Sequence, residues 1–156
     1  MNQFSKKMAL KTALLHLGLA AMVAPQVCLG QAAPDSDAEV QTRASALEVA
    51  GAFSNEGFKI RDGHWFTTLA PKESKIIQVN LYAGNQYWFI AAATGEAKKL
   101  AVTVFDENGK PVSTKPYENN AQAAAGFAPD ASGPYYVRVD ELEGEPASCC
   151  LLYSYK

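Results

Sequence analysis

Few side chains in this 156-residue chain have the types and spacing that chemistry needs. His64 is the one histidine beyond residue 32, so a Ser-His-Asp relay would have to use it. No Gly-x-Ser-x-Gly elbow or comparable nucleophile context accompanies it, and a polar residue beside a turn accounts for it better. Zinc would need His64 with Cys149 and Cys150, and adjacent cysteines cannot easily share one tetrahedral ion. Asp106, Glu107 and Asn108 offer calcium oxygen ligands in one loop, but without EF-hand spacing. A type I′ hairpin turn asks for the same residues. No catalytic, metal or cofactor-binding residue is assigned, and the chain is read as a non-enzyme.

The chain does offer aromatic surface. Trp65, Trp88, Tyr87 and Tyr117 would form a sugar-stacking platform if several lay exposed on one face. Aromatics in strands are more often core, and Trp88 sits in the most apolar segment of the sequence. Trp65, Trp88 and Tyr117 are the candidate ligand-stacking residues. Cys149 and Cys150 are a candidate disulfide, although neighbours on a strand point to opposite faces and a bridge would strain the peptide between them. Two free or separately buried thiols are the competing reading, and an intermolecular bridge comes third.

These residues must be placed by a chain that begins with a secretory pattern. Lys6, Lys7 and Lys11 precede an apolar run over residues 12–23, Pro25 breaks it, and small residues lead to a cleavage near Ala32. The run is shorter than the ~20 residues a membrane span takes. Of the 14 basic residues, the three lysines leave with the signal, so 11 face 16 acidic ones in the mature chain. That balance, without a Lys/Arg cluster, excludes nucleic acid and anionic membrane as expected partners.

Residues 33–58 read as a polar leader and one amphipathic helix, and 59–156 as a β domain. Ser36-Asp37-Ala38-Glu39 matches a capping box, with Ser36 accepting from the Glu39 amide and Glu39 reaching back. Val40, Ala44, Leu47, Ala50 and Phe53 fall on one face of a helix over 37–54, and Asn55 and Gly57 end it. From Lys59 the period becomes two. Strands are predicted over 65–69, 75–81, 86–93, 100–105, 111–114, 117–128, 135–140 and 149–155, with 141–146 a polar loop. Segment 86–93 is apolar on both faces and reads as a central strand covered on both sides. The tally of about eight short strands is the pattern of an antiparallel sandwich.

The order of the signatures carries a resemblance. Gly84-Asn85-Gln86-Tyr87, then Leu100-Ala101-Val102-Thr103-Val104-Phe105-Asp106-Glu107-Asn108-Gly109, then Phe127-Ala128-Pro129 and Ser132-Gly133-Pro134-Tyr135-Tyr136-Val137-Arg138-Val139 follow one another. This resembles the bacterial pre-peptidase C-terminal-like domain over residues 74–155. The resemblance implies an all-β, jelly-roll-like β-sandwich without catalysis of its own, exported to the periplasm or beyond. Lys98 and Lys99 stand where that family often carries acidic residues, which weakens any metal role at that edge. The function expected is an accessory module binding a protein or a cell-envelope glycan. A structural or chaperone-like envelope protein docking through its N-terminal helix is the alternative.

Overall fold

A computed structural model describes residues 35–156. The signal pattern and its cleavage near Ala32 lie outside the described residues. Helix α1 (Asp37–Ser54) precedes nine strands: β1 (Lys59–Ile60), β2 (Trp65–Leu69), β3 (Ser74–Leu81), β4 (Tyr87–Ala93), β5 (Ala97–Phe105), β6 (Lys115–Asn119), β7 (Gln122–Phe127), β8 (Gly133–Gly144) and β9 (Ala147–Tyr155). Every pairing is antiparallel. The larger sheet runs β1-β9-β4-β7-β6, with β2 beside β1 on the same flank of β9, and the smaller runs β3-β8-β5. The protein is an antiparallel β-sandwich with one helix.

Two-residue alternation sorts the side chains into layers. Tyr87, Phe89 and Ala91 of β4, Cys149, Leu151 and Tyr153 of β9, and Val137 and Val139 of β8 fill the space between the sheets. The other side of the larger sheet presents Ile90, Ala92, Ala124 and Leu152 to α1. The central strand predicted over 86–93 is therefore covered on both sides, by the smaller sheet and by the helix. Gly126 makes room on the helix side, since a Cβ there would lie 2.9 Å from the Trp88 ring.

The helix obeys its predicted boundaries, but of its predicted face only Ala50 and Phe53 meet the sheet. Ser36 accepts from the Glu39 amide at 3.2 Å. Glu39 does not reach back to complete the box; its carboxylate meets His64 at 2.7 Å. Thr42, Ala46, Val49 and Ala50 are buried, whereas Val40 is 54% and Leu47 36% exposed. The alanine-rich sheet surface selects small helix residues, because only these let the helix backbone approach closely. Thr42 is buried without penalty, its hydroxyl donating to the Ala38 carbonyl at 2.8 Å.

Other differences are local. Segment 111–114 does not form a strand beyond one bridge between Pro111 and Phe105, and the next strand is β6 at 115–119. Asn119 and Asn120 lie at a hairpin turn between β6 and β7, with Asn120 at φ 52. The Asp106–Gly109 turn is not type I′: only Gly109 takes positive φ, and the Asp106 carboxylate accepts from the amides of Asn108 and Lys110 at 2.9 and 2.8 Å. Turn chemistry thus accounts for Asp106 through its Oδ1. Residues 141–144 are not loop but the end of β8, with Glu141 fully buried.

Candidate functional site

The candidate aromatics do not form one platform. Trp88 lies beneath α1, stacked on Phe53 with centroids 4.1 Å apart and planes 8° from parallel. Tyr117 sits on β6, at the far edge of the larger sheet from β2, paired in register with Ala124 on the helix side. Trp65 faces the interlayer, opposite Leu151. A flat surface joining these three is ruled out by the sheet topology.

Trp65 instead belongs to a different aromatic group. A cleft of about 720 Å³ opens where the β1–β2–β9 flank of the larger sheet faces the free edge of β3. Tyr87, Tyr153 and Tyr155 line it with Trp65, and Tyr82 stands at its mouth, 65% exposed. Register explains the grouping. Tyr87 pairs with Tyr155, and Tyr153 with Phe89, so these rings share the interlayer face of adjacent strands. Trp65 then stacks on Tyr153, with centroids 6.0 Å apart and planes 16° from parallel. The edge of β3 at Gln78 and Asn80, and Asn85 in the β3–β4 turn, complete the rim.

Among the described residues, Arg61 is the single charged one lining the cleft. It directly follows β1, and its amide donates to the Tyr153 carbonyl at 3.0 Å, which fixes its backbone against β9. Its guanidinium donates through Nη1 to the Tyr153 hydroxyl and lies over the Tyr153 ring, 5.3 Å from the centroid. The hydrogen bond to Tyr153 raises the Arg61 pKa above its ordinary value, so the group stays a cation. The Tyr87 hydroxyl accepts from the Tyr82 amide at 3.0 Å and from Asn85 Nδ2 at 3.1 Å. The Tyr87 hydroxyl, accepting twice, has its own O–H left to offer, whereas Tyr153, accepting once, keeps its O–H and one lone pair.

His64 lies away from this cleft, half-buried and held against the helix by Glu39. Among the described residues, no group of three or more His, Cys, Asp or Glu side chains is disposed to hold a metal ion. Cys149 and Cys150 are free thiols, both buried. Cys149 joins the core between the sheets, while Cys150 points from the other side of β9 toward α1. Burial first pushes the Cys149 thiol up to about 12, with Cys150 and Glu141 adding repulsion. Burial likewise pushes Cys150 to about 11. The vicinal disulfide is therefore absent for the reason that makes it costly: alternation sends the two sulfurs to opposite faces.

The sequence reading missed Tyr82, Tyr153, Tyr155 and Arg61 as site residues. One signal was available, since the Tyr153-Ser154-Tyr155 spacing puts two rings on one strand face.

No protein-family model matches the sequence, and no curated protein does. Among solved structures, Aeromonas hydrophila PliG, a periplasmic lysozyme inhibitor of g-type lysozyme, matches with 15% identity and a TM-score of 0.44. The match covers 65% of this chain and 90% of that one.

Proposed function

We propose that this protein is a non-catalytic binding module, exported to the periplasm or beyond, whose ligand seats in the cleft between β2 and β3. It would serve as an accessory module of the pre-peptidase C-terminal-like kind, with a protein or an envelope glycan as partner. The observation that carries the reading is the collection of Trp65, Tyr82, Tyr87, Tyr153 and Tyr155 with Arg61 in one open cleft. Concave sites lined by aromatics with a few placed polar groups are where proteins take ligands. Export is supported by the lysine-led apolar run over residues 12–23 and the small residues that follow it to Ala32. The non-catalytic part is supported by the lining of the cleft, which holds donors and aromatic faces and does not include His64.

Tyr82 and Tyr155 are exposed enough to change without unfolding the sandwich. The test compares the purified protein with its Tyr82→Ala/Tyr155→Ala variant, each immobilised and washed with envelope extract. A component retained by the first and lost from the second, with equal Tm for both, is the expected result. Equal retention would remove the cleft from the function.

A further inference from the structure

We infer that the cleft between β2 and β3 takes a saccharide bearing a carboxylate, held by stacking on Trp65 and Tyr155 and by the guanidinium of Arg61. The inference rests on the binding-module reading and specifies its ligand. Three features of the cleft converge on it.

The first is charge. Arg61 is the one ionic group lining the cleft, and no carboxylate of the protein shares its hydrogen bonds among the described residues. Nη1 donates to Tyr153, and the guanidinium carbon lies 5.3 Å from that ring's centroid. The remaining N–H groups keep the planar fork of a guanidinium, which matches two oxygens of a carboxylate. Protein net charge is negative, so this cation is a local feature rather than part of a general anion-attracting surface.

The second is the sense of the hydrogen bonds. The Tyr87 and Tyr153 hydroxyls accept from the protein and retain their protons to donate. The inner cleft thus presents O–H and N–H donors, complementary to the carboxylate, ring and glycosidic oxygens of an acidic sugar. Asn85 on the rim, whose Nδ2 donates to Tyr87, brings an amide that both donates and accepts, as sugar hydroxyls do.

The third is shape. Rings on adjacent strands offer apolar faces without a deep apolar pocket of the kind an aliphatic side chain would fill. A pyranose has an apolar face of C–H groups and a polar rim, and the same division runs through this cleft. Its volume of about 720 Å³ accommodates several sugar units.

The test measures affinities of the purified protein for hexuronate, sialyl and muramyl oligosaccharides against their neutral twins, by calorimetry and tryptophan fluorescence. At least one acidic member should bind about tenfold or more tighter than its twin, a difference of about 1.4 kcal/mol. Arg61→Gln should bring it to the level of the neutral twin and leave the neutral sugar within about twofold, whereas Arg61→Lys should keep part of the preference. Raising salt from about 0.05 to 0.5 M should weaken the acidic sugar and not the neutral one, a readout on unmodified protein. Equal affinities for acidic and neutral members, or tighter binding of a control peptide with a free C-terminal carboxylate, would overturn the inference. If the envelope component is still lost from Tyr82→Ala/Tyr155→Ala while no saccharide binds, the saccharide falls and the binding module stands. If neither is seen, both fall.

Discussion

Glu141 is the residue whose environment departs furthest from its chemistry. Its carboxylate is fully buried, and neither oxygen has a hydrogen-bond partner among the described residues. Its backbone is well held, donating to the Glu73 carbonyl at 3.1 Å and accepting from the Lys72 amide at 2.8 Å. Gly144 gives the side chain its space: with φ at +141, a Cβ there would lie 2.6 Å from the Glu96 carbonyl and 2.9 Å from Glu141 Oε1. Desolvation first, and then the charges of Glu145 and Glu73, raise the Glu141 pKa above the ordinary carboxylate value. A carboxyl with a raised pKa in the fold binds its proton more tightly folded than unfolded. Its cost to stability is absent below the unfolded pKa, grows as pH rises toward the folded value, and is fully present above it. Glu141→Gln should therefore raise Tm at pH 8, by roughly 4 °C per kcal/mol recovered in a domain of this size, and leave it unchanged near pH 4. A Tm difference independent of pH, in a thermal melt at both values, would mean the charge is not the cause. Sequence could not place this residue, because Glu-Leu-Glu-Gly-Glu-Pro reads as polar loop until the pairing of β8 with β5 is known.

At the scale of elements, what could be read was what local chemistry determines. The helix ends followed from Ser36, Asn55 and the three- and four-residue spacing, and the β9 strand from its apolar run. The helix face followed only at Ala50 and Phe53, because Thr42 and Ala46 carry less hydrophobic contrast than Val40 and Leu47, yet fit the alanine-rich sheet. Strand β6 was hidden for the opposite reason: all five of its residues are exposed, so no alternation marks it. The cleft was least legible, since it depends on β9 pairing with both β2 and β4, contacts between segments far apart in sequence. The helix packing yields a direct prediction. Ala46→Leu adds volume where the helix touches the sheet and should cost about 1–3 kcal/mol in urea unfolding. Leu47→Ser, one residue on, should change stability by no more than about 0.5 kcal/mol. If Leu47→Ser proved the more damaging, α1 would have to pack on the Val40–Leu47 face instead.

For the molecule as a whole, β9 is the strand on which every layer meets. It pairs with β1, β2 and β4, carries Tyr153 and Tyr155 into the cleft, and sends Cys149 into the core between the sheets and Cys150 to the helix-side face beside Ala92. The two thiols are thus adjacent in sequence but report on separate interfaces. With pKa values raised to about 12 and 11, neither is a ready nucleophile at pH 8, and burial denies reagent access as well. The native protein should therefore resist a thiol reagent that labels both cysteines once guanidinium unfolds it. The two should also differ in how they become reachable. The helix rests on the sheet mainly through Ala46, Val49, Ala50 and Phe53, a small apolar contact beside the core between the sheets. Lifting α1 uncovers Cys150 without parting the sheets, whereas Cys149 needs the sandwich to open. In single-cysteine variants, Cys149→Ala and Cys150→Ala, Cys150 should label at lower denaturant and with the weaker denaturant dependence, and Cys149 should follow global unfolding. Coincident labelling of the two, at the midpoint seen by tyrosine and tryptophan fluorescence, would show that helix and sandwich unfold as one cooperative unit.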